Sequence, residues 1–254
     1  MMTMTSAPLP RFYRFVTPLI RRLHRHLAYD APETPDYGFA ARAETIDLTI
    51  DEFPSAIMHY PIVFGGGGDA LRPMILTGQP GRQVNQFVDP ETGAWRDGVY
   101  IPAYVRRYPF LLARLDPEVD EMSLCFDGAC PWLRDRDEGN LFADDDNPSE
   151  TTRQIMEFCQ SYEAAVRRTR SFMDELLELD LLVDLVRVDT AGRTLAVPGF
   201  RMIDEERLQQ LRAEPLRKLM ASGAQAAIFA HLFSLSHLGQ QRSAPTPSVQ
   251  ADIA

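Results

Sequence analysis

Two kinds of hydrophobic pattern divide the chain near residue 147. Before that point, apolar residues fall in short runs broken by Gly, Pro and Asn. Ile46, Leu48 and Ile50 alternate with polar neighbours, as residues of a half-buried strand do. The sequence Asp89-Pro-Glu-Thr-Gly93 has the chemistry of a tight turn. Further strands are predicted over residues 57–64, 74–77, 84–88, 98–105 and 122–127.

After residue 147, apolar residues recur at the helical period. They predict a long helix that runs to about residue 179, with Asn147 as N-cap and Pro148 at its first position. The fold class is therefore α+β: a mainly antiparallel β N-terminal half and a predominantly helical C-terminal half in one compact domain. The remaining predicted elements are a hairpin over 181–197 turned at Ala191-Gly192, a helix from Asp204 to Arg212, and helices over 215–222 and 224–238 separated by Gly223.

The first 29 residues hold five arginines and no acidic residue. Their apolar residues fall near helical spacing, which predicts a short basic amphipathic helix within residues 10–28. This helix could dock on the acidic body, lie on a membrane containing anionic lipid, or fray as an extension. We divide the chain into a basic extension and connector (1–37), an α+β domain (38–238) and a tail (239–254) whose composition predicts disorder.

Composition narrows the class of protein. The chain is 45% hydrophobic and 24% charged, as folded globular proteins are. Its net charge of −10 argues against general nucleic-acid binding, which needs a basic surface. The N-terminus lacks the continuous apolar run and cleavage site of an export signal. We therefore expect a cytoplasmic protein, with the inner-membrane surface as its alternative location.

The most unusual segment is Tyr100–Phe110, with three Tyr, two Pro and two Arg in eleven residues. Pro102 and Pro109 remove backbone donors, so a regular central strand cannot run through it. Five of its side chains are candidate contacts for a ligand or a protein partner. They are Tyr100, Tyr104, Arg106, Arg107 and Tyr108.

Two interpretations of Tyr100–Phe110 stay open. Neighbouring arginines of an extended chain point to opposite faces, so one of Arg106 and Arg107 could bind a carboxylate or phosphate. Alternatively, the aromatic residues form a packed corner in which an arginine pairs with an internal acid such as Asp89 or Asp127. A deep pocket lined by Tyr and Arg would favour ligand binding, and a flat aromatic patch would favour a protein partner.

Other motifs give weaker signals. His231 lies between apolar residues and is a further candidate contact, although a core position is the commoner explanation. The three cysteines have neither disulfide-framework nor zinc spacing, so no metal or cofactor is predicted. Gly65–Asp69 lacks the residues of a phosphate loop and indicates a hairpin loop. The acidic run 135–146 does not fit a calcium-binding register and indicates a solvated loop.

Several strings resemble the bacterial SapC family over about residues 40 to 240. They are Tyr60–Phe64, Asn85–Asp89, Trp95, Tyr100–Phe110 and Ala230–Leu235. The resemblance implies no assigned catalytic residue. The family is named after a surface-layer-associated protein. Its members tend to be encoded near flavin-dependent halogenase-like proteins and TonB-dependent receptors, which implies an accessory role in outer-membrane uptake or modification.

Three functional hypotheses follow. The first is a non-enzymatic binding or accessory protein that contacts a protein partner or a membrane. The second is an enzyme or small-ligand carrier that holds an anionic group with the Tyr100–Phe110 segment. The third is a structural component of a surface layer, which the missing export signal argues against.

Overall fold

The computed structural model describes residues 9–66, 71–116, 118, 121–143, 147–188 and 194–240. The strands there are β1 (Val16–Pro18), β2 (Leu27–Tyr29), β3 (Thr45–Asp47), β4 (Ile62–Gly65), β5 (Arg72–Leu76), β6 (Phe110–Arg114), β7 (Met122–Asp127), β8 (Leu133–Asp135), β9 (Leu182–Val188) and β10 (Thr194–Ile203). The helices are α1 (Arg21–His24), α2 (Phe53–Ala56), α3 (Ala103–Arg106), α4 (Glu150–Glu178), α5 (Glu205–Gln209), α6 (Ala213–Ser222) and α7 (Ala224–Ser234). Short 3-10 helices are Gly38–Ala40, Ile50–Glu52 and Leu235–Gln240.

Some predicted features lie outside the described residues. They are the hairpin turn at Ala191-Gly192, most of the glycine-rich loop 65–69, the acidic residues 144–146 and the tail beyond residue 240.

The strands form three antiparallel sheets. The largest has the order β3-β5-β4-β10-β9, so the C-terminal hairpin completes a sheet begun by the N-terminal half. A second sheet has the order β1-β7-β6, and β2 pairs with β8 in a third. Because one sheet draws strands from both halves, the described chain forms a single domain, and the predicted α+β class is confirmed.

The long helix α4 joins the two larger sheets. Its N-terminal turns pack Cys159 into the cluster that contains Phe110 and Phe126 of the three-stranded sheet. Farther along, Phe172 and Leu176 enter the main core beside the five-stranded sheet. The predicted helix is confirmed, but its N-cap is Ser149 rather than Asn147, since the Ser149 hydroxyl accepts the Thr152 N–H at 3.2 Å.

Several predicted elements of the first half differ from the structure. Residues 98–105 were predicted as a strand, and this is wrong because Pro102 instead precedes the single-turn helix α3. The strand predicted over 84–88 is reduced to an isolated bridge between Val88 and Trp95. The strand predicted over 122–127 is confirmed as β7. The turn at Asp89 is also confirmed, since the Asp89 carboxylate accepts the N–H groups of Glu91 and Thr92.

The prediction of one amphipathic helix within residues 10–28 is also wrong. The segment forms strand β1, the single turn α1 and strand β2. Tertiary contacts override the helical spacing, because β1 pairs with β7 and β2 pairs with β8. Tyr13, Leu27 and Ala28 are buried, so the segment is packed onto the body.

Helix α7 packs against β4 and β10 of the main sheet, and α6 packs against α7. Gly223 separates α6 from α7 in the left-handed conformation, with φ of 80°, which glycine adopts without strain. Within the described ranges, no helix alone has the length and apolar character needed to cross a membrane. The pair Ala213–Ser222 and Ala224–Leu238 reaches that length and composition together, with a bend of 90° between them.

Candidate functional site

A buried carboxylate fixes the start of the Tyr100–Phe110 segment. Glu52 accepts the backbone N–H of Ala103 at 2.6 Å and the hydroxyl of Tyr100 at 2.9 Å. Its second oxygen accepts the N–H and hydroxyl groups of Thr49, at 3.0 and 2.8 Å. Four donors therefore converge on one carboxylate, which sets the N-terminus of α3 and gives Tyr100 a structural partner.

A second buried carboxylate fixes the end of the segment. The side chain of Asp127 is fully buried. It accepts the Tyr108 hydroxyl at 3.2 Å and the backbone N–H groups of Arg14 and Phe15 at 3.0 and 2.9 Å. An arginine of the segment, Arg107, does lie beside an acid, but that acid is Glu163 and not Asp89 or Asp127, because Asp127 is occupied by these donors and Asp89 caps its own turn.

Between these anchors, Arg107 points inward into a cage of tyrosines. Its side chain is only 8% exposed. The guanidinium carbon lies 4.4 Å from the ring centre of Tyr104, 4.6 Å from that of Tyr162 and 5.8 Å from that of Tyr13. Burial raises the pKa of all three tyrosines, so they are neutral at pH 7 and attract the cation through their ring faces.

The cage does not fully compensate the charge of Arg107. The Nη1 atom of Arg107 is 3.7 Å from the nearest oxygen of Glu163, which is longer than a normal hydrogen bond. Its buried Nε atom has no hydrogen-bond partner among the described residues. Burial also raises the pKa of Glu163, in opposition to Arg107, Arg167 and Arg170. A largely desolvated cation therefore has one distant counterion.

The cage forms part of the wall of a large cleft. The cleft has a volume of about 1110 Å³ and lies between α4, strands β3 and β5, α3 and the N-terminal segment. Its apolar lining includes Leu48, Leu71, Val166, Met173 and Leu177. Its charged lining includes Arg11, Arg72, Arg107, Arg170, Asp47, Glu163 and Asp174. The arrangement suits a ligand with both an apolar part and a charged group.

The structure separates the residues that were predicted to act together. Tyr104 and Arg107 line the large cleft, whereas Tyr108 lines a second cleft of about 640 Å³. Arg106 points away from the cleft, although the backbone here is helical and not extended: it donates to the Ile101 carbonyl at 3.0 Å and lies over the ring of Phe158. Tyr100 lines neither of these clefts.

His231 is a core residue. It is fully buried, its Nε2 atom accepts the Ile203 N–H at 3.1 Å, and its ring packs 4.7 Å from that of Phe64. Burial lowers its pKa to about 3, so the ring is neutral at pH 7. The candidate contact at His231 therefore lies in the packed interior and not in the cleft.

Sequence reasoning missed two of the three cage tyrosines. Tyr13 was not singled out, and Tyr162 was assigned to the core by its helical spacing. Glu163 follows Tyr162 on α4 and faces Arg107. The signal that could have found them is the pair Tyr162 and Glu163 beside the apolar face of α4. Nothing in the local sequence indicates that this part of α4 meets α3.

The cysteines are buried free thiols. Burial raises the pKa of Cys125 and Cys159 to about 11 and also raises that of Cys130, so none is an activated thiolate. Among the described residues, no group of three or more His, Cys, Asp or Glu side chains is arranged to hold a metal ion.

Comparison with known proteins gives one family assignment. The chain matches no curated protein and no solved structure. A sequence model of the SapC family matches residues 19–240. The match starts before residue 40, so it includes β2 and the turn that precedes it. Since it spans most of the 254 residues, the chain belongs to the SapC family.

Proposed function

We propose that this protein is a non-enzymatic binding protein whose cleft takes a small amphipathic anion, with Arg107 pairing to the anionic group. The observation that carries the proposal is the under-compensated cation in the cleft wall. Arg107 is largely buried, its Nε has no partner among the described residues, and Glu163 is 3.7 Å away.

Burial of a guanidinium is unfavourable unless other groups replace the lost water. The tyrosine rings replace part of it, but the Nε atom of Arg107 still has no acceptor among the described residues. A carboxylate or phosphate oxygen from a ligand would supply that acceptor. The two ions would then attract each other strongly, because the cage excludes water.

The rest of the cleft indicates the remaining ligand chemistry. Leu48, Val166 and Met173 offer an apolar surface beside Arg107. The exposed side chain of Arg170 adds positive charge on the same wall, while Arg72 is already paired with Asp47 at 2.7 Å. A single anionic head on an apolar chain fits this lining better than a polyanion does, because Asp47, Glu163 and Asp174 would repel further negative charge.

Binding without catalysis is supported by the groups next to Arg107. Tyr104 and Tyr162 have pKa values raised by burial, so neither acts as a base near pH 7. The resemblance to the SapC family implies an accessory role in outer-membrane uptake, and a carrier of this kind is compatible with that role. The family assignment identifies no ligand-binding residue.

Octanoate and octyl phosphate test the proposal by calorimetric titration. The wild-type protein should bind one equivalent of at least one of these anions. Arg107→Met keeps an unbranched apolar stem and removes the charge, and it should weaken binding by about tenfold or more, since a hydrogen bond to a charged group contributes about 1.5–3 kcal/mol. Arg106→Met is the matched control, because Arg106 lies outside the cleft.

The melting temperature of Arg107→Met shows whether a loss of binding comes from the missing charge or from a loss of folding. The Glu163 carboxylate that loses its partner is 25% exposed and 3.7 Å from Arg107, so water can solvate it and the variant should stay folded. Failure of the wild-type protein to bind either anion would refute the proposal. Equal affinity in wild type and Arg107→Met would do the same.

A further inference from the structure

A second surface combines exposed apolar side chains with positive charge. The turn between β1 and β2, residues 20–25, is called the basic tip here. Ile20 is 44% exposed and Leu23 is 65% exposed, although both are aliphatic. Arg21, Arg22 and Arg25 are exposed beside them. An ordinary surface turn has no need of two exposed aliphatic side chains within three residues of each other.

The basic tip is held in place from both sides. β1 pairs with β7 before it, and β2 pairs with β8 after it. Within the turn, the Nδ1 atom of His24 accepts the Ile20 N–H at 3.0 Å, and the His24 ring packs edge-on against Phe126 at 5.1 Å. Ile20 and Leu23 are therefore presented outward by a fixed backbone, which lowers the entropy lost on binding.

The basic tip itself carries three arginines and no acidic residue. The chain has no acidic residue before Asp30, and Arg14 extends the positive surface beyond β1. The neighbouring stretch 134–138 holds two arginines and three acidic residues, a net charge of −1, and Asp135 is close enough to act on His24. The basic tip thus stands out from a protein whose net charge is −10. Its complement is a negatively charged surface.

We infer that the basic tip docks on a bilayer containing anionic lipid. Ile20 and Leu23 enter the headgroup region, and Arg22 and Arg25 contact lipid phosphates. An acidic protein is the less suitable partner. A stable protein interface buries roughly 800 Å² on each side, and a turn with two aliphatic side chains offers far less than that. Binding to a bilayer does not require a contact area of that size, because the aliphatic side chains insert between lipid headgroups.

Vesicle sedimentation with the full chain tests the inference. Wild-type protein should bind vesicles of phosphatidylcholine mixed with phosphatidylglycerol about tenfold better than vesicles of phosphatidylcholine alone, and high salt should remove the difference. The variants I20S/L23S and R22Q/R25Q should each lose most of this binding while keeping the wild-type melting temperature, because the four side chains are at the surface.

A matched control is available on helix α7. Phe229 and Phe233 are exposed, the latter by 68%, and their rings stack at 6.1 Å. The variant F229S/F233S removes two exposed apolar side chains from a helix that packs on the five-stranded sheet, and it should bind vesicles as the wild type does. Loss of binding in this control alone, or equal binding to both kinds of vesicle, would overturn the inference. So would binding to polyglutamate without binding to vesicles, which would assign the basic tip to an acidic protein.

Discussion

Replacing Glu52 with alanine should lower the free energy of unfolding by about 3–5 kcal/mol, because it removes the acceptor of several hydrogen bonds at a buried position. The carboxylate of Glu52 accepts four hydrogen bonds, from the N–H and hydroxyl of Thr49, the hydroxyl of Tyr100 and the N–H of Ala103. The substitution leaves buried donors without acceptors, and each unsatisfied donor costs about 1–3 kcal/mol.

Thermal unfolding followed by circular dichroism measures this effect, and a shift of roughly 10 °C is expected for a chain of this size. Glu157→Ala is the matched control: it makes the same change at an exposed position of α4 and should alter stability by no more than about 0.5 kcal/mol. A loss below about 1 kcal/mol in Glu52→Ala would show that the four donors find other partners.

Stability should also fall steeply as the pH drops below 6.5, and His231 should account for part of the slope. Burial holds the pKa of His231 at about 3, against an ordinary value of 6.5. Between these values the unfolded chain binds a proton that the folded chain does not. Protonation therefore favours the unfolded state, and stability is lost at up to about 1.4 kcal/mol per pH unit as the pH falls through this window.

Urea unfolding of wild type and His231→Gln at several pH values between 7.5 and 4.5 isolates this contribution. Glutamine can still accept the Ile203 N–H but does not titrate, so the variant should show a shallower loss of stability on acidification. His24 and His59 also have lowered pKa values, and they affect both proteins equally. Parallel curves for the two proteins would contradict the assignment.

The parts of the fold that follow from sequence are those with a long periodic pattern. Helix α4 and the hairpin of β9 and β10 have enough residues for their period to identify them. The single-turn helix α3 and strand β1 do not. Their conformations are set by Glu52 and Asp127, which lie far from them along the chain. The local sequence pattern does not indicate these long-range hydrogen bonds.

The candidate site was also predicted only in part. The density of Tyr and Arg in Tyr100–Phe110 singled out Tyr104 and Arg107, which lie in the cage. The same density also singled out Tyr100, whose hydroxyl serves Glu52. Composition identifies a segment of unusual chemistry, whereas the direction of each side chain depends on α4 and the N-terminal segment, which supply Tyr162 and Tyr13.

The pairing of β1 with β7 has a consequence for synthesis. Asp127 binds the backbone of Phe15, which precedes it by 112 residues. A ribosome that adds roughly 5–20 residues per second takes about 6–22 s to make that stretch. Throughout this time the nascent N-terminal segment lacks its strand partner and its buried acceptor. The segment around Phe15 therefore leaves the ribosome before β7 exists and can reach its native position only after β7 has been made.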